Sequence, residues 1–362
     1  MIKKAIFPRC YLQGKHVLRN FGEIRELEGK RVFILATNAA VTKIIGPNMS
    51  FWKQICTVEY EKFGGKCTWD EIDRIFNIAK EGGFDFVIGM GGGKAIDTAR
   101  VVAKRLGVKF IAAPTIAATD APTASACVIY NNEGAIVDYL TTNNPDYVLV
   151  DTQVIAEAPV RFLVSGMGDA LATWFEAETC DRSYFKNISG GFNLKAIMSI
   201  ANICYQTLLE YGVTAKISCE KKVVSAALDH IVEANTLLSG LGFESGGLST
   251  AHGIHDCLCN LEGTHDYYHG EKVAFGTLSG LFLEGRPQSV VEEVYGFCRS
   301  VGLPTTLAQI GLGNVTDEEL DAAIHPVFEN KESYLHNVRF DLTAELIIDA
   351  IRMADAFGSL EM

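Results

Sequence analysis

Short apolar segments alternate with amphipathic ones through residues 1–150. Four apolar runs are each bounded by Gly, Pro, Asn or Asp, and they span residues 31–36, 84–90, 108–113 and 147–151. Between them lie segments with apolar residues at helical spacing, such as residues 68–81 and 94–106. Buried parallel strands that alternate with helices predict an α/β domain with a doubly wound, mostly parallel sheet.

Two later patterns differ from this alternation. Residues 127–140 hold two apolar runs around Asn-Asn-Glu-Gly, which predicts an antiparallel hairpin over the sheet edge. From about Pro159 the strand pattern stops and the sequence predicts an all-α domain. Its predicted helices span residues 162–178, 191–211, 216–238, 271–283 and 342–357.

The chain of 362 residues is longer than the ~250–300 residues at which single cores stop growing. We therefore expect two domains, a nucleotide-binding α/β domain over residues 1–158 and a helical domain over residues 159–362. Ligands of open α/β sheets bind outside the carboxyl ends of the strands, so we expect any cofactor in a cleft between the two domains.

Charge and composition exclude several classes of protein. There are 32 Lys and Arg residues against 44 Asp and Glu residues, a net charge of −12 that disfavours nucleic acid and anionic membranes as partners. No apolar run approaches the ~18 residues of a membrane span, and no signal-peptide core is present, so we expect a cytoplasmic protein. The ten cysteines lack a Cys-x-x-Cys pair, which indicates structural thiols.

A glycine-rich turn follows the second apolar run. Gly91, Gly92 and Gly93 stand between a predicted strand and a predicted helix, where backbone amides and the helix dipole favour an anion. The turn lacks the third glycine of the dinucleotide fingerprint, and Ile88 and Ala95 break the Walker A pattern. The alternative is an ordinary tight turn. A second turn, residues 114–123, offers small residues and hydroxyls that suit a dinucleotide lying across strand ends.

Half of the eight histidines fall between residues 246 and 276. His252 and His255 are three residues apart and share a helix face, and His269 follows after a predicted break. Neutral imidazole is the commonest nitrogen ligand of metals and also transfers protons near neutral pH. The sequence therefore predicts a metal or proton-transfer site, with buried structural histidines as the alternative.

Five ordered segments resemble glycerol dehydrogenases of the iron-containing (type III) alcohol dehydrogenase superfamily. These are the glycine turn and residues 119–123, 165–174, 242–247 and 269–276, and the similarity extends over nearly the whole chain. The resemblance implies a dehydroquinate synthase-like architecture, with an N-terminal nucleotide-binding domain and a helical domain that holds a divalent metal.

The resemblance implies metal ligands at Asp169, His252 and His269. One carboxylate and two imidazoles leave a fourth tetrahedral position open, as catalytic zinc requires. Many iron-dependent relatives carry another histidine one helical turn after this aspartate, where this chain has Thr173. Zn²⁺ is therefore favoured over Fe²⁺. An aspartate that merely starts a helix is the alternative role for Asp169.

The resemblance also implies the cofactor and substrate contacts. The phosphate turn, the second turn and the nicotinamide side together give the NAD-binding residues Gly92, Gly93, Lys94, Ala95, Asp97, Thr115, Ala118 and Tyr130. Asn38 stands where relatives often have the aspartate that binds the adenosine ribose. Asparagine can hydrogen-bond the 2′-hydroxyl but does not repel a 2′-phosphate as a carboxylate would, so NAD is expected and NADP stays an alternative. The expected polyol contacts are Asp120, Phe243 and His252, with Asp120 also open to a turn or cap role. His255 is expected to relay protons or support the metal.

Three departures from the family pattern concern cofactor affinity and substrate choice. Ala95 replaces a threonine, Ala124 a serine, and Asp256 the asparagine that follows the histidine pair.

We therefore predict NAD-dependent, metal-dependent interconversion of a small vicinal diol and its hydroxyketone, with glycerol and dihydroxyacetone as the best single pair. The expected catalytic residues are Asp120, His252 and His255, and the resemblance implies a homo-oligomer. Alternatives are a dehydrogenase of another hydroxy compound or 2-oxoacid, a glycerol-phosphate dehydrogenase or dehydroquinate-synthase-like enzyme, and a nucleotide-binding protein without activity. The phosphate-binding alternatives need several basic residues, whereas the histidine segments contain only Lys272.

Overall fold

A computed structural model describes residues 1–132 and 136–360, and it contains two sheets. The strands are Tyr11–Gly14 (β1), Arg31–Ala36 (β2), Thr57–Lys62 (β3), Phe86–Gly91 (β4), Lys109–Pro114 (β5), Ala126–Tyr130 (β6), Ile136–Thr141 (β7) and Tyr147–Asp151 (β8). Six strands form a parallel sheet in the order β1-β8-β5-β4-β2-β3. The other two pair antiparallel, which agrees with the predicted hairpin, although residues 133–135 of its turn lie outside the described residues.

The predicted fold class is confirmed. All four predicted strands are present, and all their residues except the first ones of β2 and β5, Arg31 and Lys109, are buried because helices cover both faces of a parallel sheet. The sequence analysis missed β1 and β3, which form the two edges of the sheet. In β3 only Val58 is fully buried, so its sequence carries no continuous apolar run.

The order of the strands creates a switch point between β2 and β4. After β2 the chain runs to the edge strand β3, and after β4 it runs the other way to β5. The segments that follow these two adjacent strands therefore separate at their carboxyl ends and leave a crevice. Such crevices are where open α/β sheets bind their ligands.

Helices connect the strands and make up the regular structure after β8. They are Asn38–Ala40 (α1), Gly46–Ile55 (α2), Trp69–Ala79 (α3), Gly93–Leu106 (α4), Thr152–Glu157 (α5), Val160–Ser183 (α6), Lys195–Glu220 (α7), Ala226–Glu233 (α8), Ser239–Gly246 (α9), Thr250–Leu258 (α10), His269–Leu283 (α11), Gln288–Val301 (α12), Asp317–Glu329 (α13) and Ala344–Gly358 (α14). Within the described residues none of these helices combines the length and apolar character that crossing a membrane requires.

One predicted helix is wrong. The sequence analysis expected a single helix over residues 216–238, but α7 ends at Glu220 and α8 begins at Ala226. Lys222 adopts a left-handed backbone with φ of 58°, and the Ser225 hydroxyl accepts a hydrogen bond from the N–H of Leu228 at 3.2 Å. A serine cap of this kind starts a new helix and stabilises it by about 1 kcal/mol.

The chain divides into two compact units. One contains residues 1–6, 160–217 and 241–362, and the other contains residues 7–159 and 218–240. The predicted domains, residues 1–158 and 159–362, stay a prediction about folding units. Residues 218–240, which include α8, pack with the sheet-containing unit of residues 7–159.

Candidate metal centre and cofactor turn

Helices α6 and α11 approach backbone to backbone beside Asp169 and His269. A Cβ on Gly168 would overlap the carbonyl oxygen of Gly270, and a Cβ on Gly270 would overlap that of Ser165. Only glycine permits contacts this close. The approach leaves Oδ1 of Asp169 3.1 Å from Nε2 of His269, the first residue of α11.

Helix α10 brings a second imidazole to the same carboxylate. It lies close against α11, because a Cβ on Gly276 would overlap the carbonyl oxygen of Ala251. The rings of His252 and His269 are 5.5 Å apart between centroids, and Nε2 of His252 lies 3.5 Å from Oδ1 of Asp169.

These three side chains can hold a divalent metal. One donor atom from each of Asp169, His252 and His269 lies within 4.8 Å of the other two. Ligand atoms about 2.1 Å from a tetrahedral metal lie about 3.4 Å from one another. The distances of 3.1 and 3.5 Å from the Asp169 oxygen to the two imidazoles match that spacing. The residues therefore fit the group that the resemblance implies.

Glu176 completes the surroundings of His252, and the sequence analysis missed it. Its Oε2 lies 2.6 Å from Nδ1 of His252, and its Oε1 accepts the backbone N–H groups of Ser249 and His252, each at 2.9 Å. The carboxylate is 1% exposed. A carboxylate that accepts the Nδ1 proton leaves Nε2 of the imidazole as the lone-pair donor for a metal. The available signal was spacing, because Glu176 follows Asp169 by seven residues and so shares its helix face.

The charges of this cluster depend on one another. Burial disfavours the ionised carboxylate of Asp169, but the neighbouring His269 and His252 outweigh it and hold its pKa well below the usual range. Burial likewise disfavours a charged His252, yet the carboxylates of Glu176 and Asp169 raise the pKa of this imidazole well above its ordinary value. Two buried carboxylates thus demand positive charge at this place.

His255 lies behind His269 and is neutral. Its Nδ1 is 3.0 Å from Oδ1 of Asp256, and its Nε2 is 3.0 Å from Nδ1 of His269. Because a carboxylate only accepts, His255 donates from Nδ1 to Asp256, and its Nε2 accepts from His269. Nε2 of His269 is then left as a donor to a metal. Burial, together with the nearby His269, lowers the pKa of His255 to about 3.

The glycine turn lies at the switch point, beside the segments that follow β2 and β5. The N–H of Thr37 donates to the carbonyl of Met90 at 3.1 Å, and the N–H of Thr115 donates to that of Gly91 at 3.0 Å. A Cβ on Gly92 would lie 3.0 Å from Cδ1 of Ile116. The structure therefore brings Asn38, the glycine turn and the second turn to neighbouring strand ends, as a dinucleotide site in this fold requires.

Three of the expected cofactor residues have protein contacts that define their positions. The Lys94 ammonium lies 4.6 Å from the centre of the Tyr130 ring. The Asp97 carboxylate is buried, lies 3.4 Å from Nη1 of Arg100 and accepts the N–H of Val128 at 3.1 Å. Burial raises the pKa of Asp97 to about 6 despite the guanidinium. Its contact with a cofactor stays a prediction.

The second turn is fixed by hydrogen bonds that it forms with residues 235–239. The hydroxyl of Ser239 donates to Oδ2 of Asp120 at 2.8 Å, and the Asn235 side chain donates to the carbonyl of Ala117 at 3.0 Å. Thr123 donates from its hydroxyl to the carbonyl of Thr236 at 2.8 Å. The Ser239 bond orients the Asp120 carboxylate, and the other two hold the backbone of the turn.

The predicted site residues fall in both compact units. The unit of residues 1–6, 160–217 and 241–362 contains Asp169, Phe243, His252, His255 and His269, of which all but the half-buried Phe243 form the cluster described above. The other unit contains Asn38, Gly92, Gly93, Lys94, Ala95, Asp97, Thr115, Ala118, Asp120 and Tyr130.

Comparison with known proteins identifies the family. Its sequence profile, described as iron-containing alcohol dehydrogenase, matches residues 8–152. Glycerol dehydrogenase of Thermotoga maritima is 47% identical in an alignment that covers 99% of each chain. The chain belongs to the iron-containing alcohol dehydrogenase family. Members of this metal-binding family are oxidoreductases, and this chain is one of them.

Two further relatives of the family are similar over nearly their full length. Glycolaldehyde reductase of Halobacterium salinarum is 41% identical, with 97% of this chain and 96% of that protein covered. The crystal structure of a probable glycerol dehydrogenase from Sinorhizobium meliloti superposes with a TM-score of 0.91 at 40% identity, covering 98% of this chain and 99% of that one.

Proposed function

We propose that this chain is a zinc-dependent, NAD-dependent dehydrogenase that interconverts glycerol and dihydroxyacetone. The observation that carries the proposal is the cluster of Asp169, His252 and His269, whose donor atoms lie within 4.8 Å of one another. The substrate is inferred from relatives that bear the name glycerol dehydrogenase at 47% and 42% identity.

Asp169, His252 and His269 would hold the metal. When bound, the metal would act as a Lewis acid that lowers the pKa of a substrate hydroxyl, and NAD would accept the hydride from the carbon of that alcohol. One carboxylate and two imidazoles suit zinc with a fourth position for substrate. Thr173 lies one helical turn after Asp169, where many iron-dependent relatives have a further histidine, and it offers no imidazole. The absence of this histidine favours zinc over iron.

The remaining steps belong to side chains of this chain. Glu176 holds the Nδ1 proton of His252, and His255 accepts the Nδ1 proton of His269, so both imidazoles present Nε2 to the metal. We propose that His255, with Asp256 at its far nitrogen, supports the metal centre by orienting His269. A role for His255 in relaying the proton that alcohol oxidation releases would require its bond to His269 to open. Asp120, oriented by Ser239, would bind a second hydroxyl of the diol, and Phe243 would contact its carbon chain.

NAD is proposed to bind across the strand ends of β2, β4 and β5. The glycine turn would receive its phosphates at the start of α4, where backbone amides and the helix dipole favour an anion. Asn38, at the start of α1, would hydrogen-bond the adenosine ribose. Lys94 and Tyr130 would flank the pyrophosphate and the nicotinamide. A homo-oligomer in the cytoplasm is part of the same proposal.

A paired assay tests this function. Purified protein is analysed for metal and assayed with NAD on glycerol and 1,2-propanediol, before and after chelation. We expect diol oxidation that disappears with the chelator and returns with zinc but not with magnesium. A fully zinc-loaded protein that neither oxidises these diols nor reduces dihydroxyacetone would overturn the proposed substrate. Absence of zinc binding by the intact protein would overturn the proposed metal site.

Glycolaldehyde reduction is a second candidate, since a relative with that name is 41% identical over 97% of this chain. The two activities share a vicinal pair of oxygens, and they differ in whether the carbonyl is an aldehyde or a ketone. The ratio of kcat/KM for glycolaldehyde to that for dihydroxyacetone, measured with NADH, decides between them.

A further inference from the structure

Glu284 joins the three helices that carry the metal donors. It directly follows α11, the helix that begins with His269. Its Oε1 accepts a hydrogen bond from the hydroxyl of Thr250 at 2.8 Å, and its Oε2 accepts one from the hydroxyl of Thr179 at 2.7 Å. Thr250 is the first residue of α10, and Thr179 lies on α6. One carboxylate therefore bonds to the other two donor helices at once.

These bonds close a ring that includes a metal ligand. From Glu284 the ring runs through Thr250 to His252, two residues further along α10. His252 bonds to Glu176 through both its ring and its backbone N–H. Glu176 is three residues before Thr179 on α6, and Thr179 returns to Glu284. His252 is thus held at both ends of a closed path of hydrogen bonds and helical backbone.

The ring is buried, and Arg286 compensates the charge of Glu284. The Glu284 side chain is 10% exposed, and that of Arg286 is 11% exposed. Arg286 donates to Oε2 of Glu284 from Nη2 at 2.8 Å and from Nε at 3.2 Å, and it also pairs with Glu178. Both charge-assisted bonds reach the same oxygen, and they tie the Glu284 carboxylate to the guanidinium. Helices α10 and α11 also pack closely here, because a Cβ on Gly280 would lie 2.8 Å from the Thr250 hydroxyl.

We infer that Glu284 is a positioning residue for the metal centre, acting through Thr250 and Thr179 to set the place of His252 against Asp169. The inference rests on the proposed metal site. Outer partners of metal ligands change metal affinity when they are removed, because the ligands then lose their fixed geometry. Nothing in this role requires Glu284 to touch the metal or the substrate.

The test compares Glu284→Gln with Glu178→Gln. Both substitutions remove a carboxylate paired with Arg286, but only Glu284 bonds to α10 and α6 through the two threonines. Zinc affinity of the intact protein is measured by competition with a chromophoric chelator. The visible spectrum of the Co²⁺-loaded protein reports ligand geometry independently of activity. Thr250→Val, which removes one arm of the ring and leaves all charges, serves if Glu284→Gln does not fold.

We expect Glu284→Gln to weaken zinc binding about tenfold and to alter the Co²⁺ spectrum, with Glu178→Gln within twofold of the parent protein. Thr250→Val should weaken zinc binding in the same direction. Equal zinc affinities in all variants, even with lowered melting temperatures, would show a purely structural role and overturn the inference. Equal losses in Glu284→Gln and Glu178→Gln would assign the effect to Arg286 and also overturn it. A parent protein that binds no zinc would overturn the proposed function itself.

Discussion

Replacement of Glu176 by glutamine gives the sharpest test of how His252 is prepared for a metal. The two oxygens of Glu176 receive three N–H groups, from Nδ1 of His252 and from the backbones of His252 and Ser249. Glutamine is nearly the same size but has one acceptor oxygen and one NH₂ group. At least one of the three donors must therefore face another donor.

The two orientations of the new amide have different consequences. If its oxygen stays with the backbone N–H groups, its NH₂ faces Nδ1 of His252 and forces the ring proton onto Nε2, the nitrogen that should bind metal. If the amide flips, His252 keeps its tautomer while the start of α10 loses its acceptor. A buried donor left without its partner costs about 1–3 kcal/mol. Since 1.4 kcal/mol is a factor of about ten, we expect zinc affinity to fall about 10–100-fold in the first case.

The assay is competition for zinc between the metal-free protein and a chromophoric chelator, together with the melting temperature of the metal-free protein. Glu178→Gln is the matched control, since Glu178 is on the same helix but pairs with Arg182 and Arg286. Weaker zinc binding at an unchanged melting temperature indicates the altered tautomer, and a lower melting temperature indicates the flipped amide. Zinc affinity within twofold of the parent together with the parent's melting temperature would refute the reasoning.

Three further predictions follow from single contacts. Gly168→Ala should lower the melting temperature and the zinc content together, because its Cβ would overlap the carbonyl oxygen of Gly270. Overpacking of this kind costs about 1–3 kcal/mol. Gly296→Ala is the control, since a Cβ there meets open space. Asp97 has a pKa raised by burial to about 6, so its ionised form destabilises the folded state at neutral pH and protonation relieves this. Lowering the pH from 7 to 4 should therefore raise the free energy of unfolding of the parent by about 2 kcal/mol relative to that of Asp97→Asn. A difference between the two proteins that stays constant in denaturant titrations at both pH values would contradict this. Ser239→Ala removes the hydroxyl bonded to Asp120 and should raise the KM for glycerol about tenfold without changing that for NAD; equal changes in both constants would contradict a role at the substrate.

Patterns within short segments of the sequence were enough to predict most of the strands and helices. The strand, glycine turn and helix around Gly92 are consecutive in sequence, so the pattern predicts both the elements and their join. Edge strands such as β3 are invisible to the same reasoning, because only Val58 of that strand is fully buried. The break between α7 and α8 was also readable in principle, since Ser225 is a good cap, but apolar spacing continued across it and outweighed the cap.

The candidate metal site was only partly predictable, and the reason lies in the distance between its parts. The histidines stand out because three imidazoles are close in sequence, and the family resemblance supplied Asp169. Glu176 is marked only by its spacing from Asp169, and Glu284 has no mark, because a single glutamate in or beside a helix is most often a solvated side chain. Their roles depend on which faces of α6, α10 and α11 meet, and that is decided by close backbone contacts such as those at Gly270 and Gly276.

Charge explains why this site should hold a divalent cation at all. Asp169 and Glu176 are 2% and 1% exposed, and two buried carboxylates without compensation would be far too costly to keep. In the protein without metal, burial disfavours a charged His252, but its two carboxylate neighbours raise the pKa of the imidazole and so favour its protonated form. A cation of charge +2 held by Asp169, His252 and His269 would neutralise both carboxylates directly and make that proton unnecessary. We therefore expect metal binding to release a proton from His252.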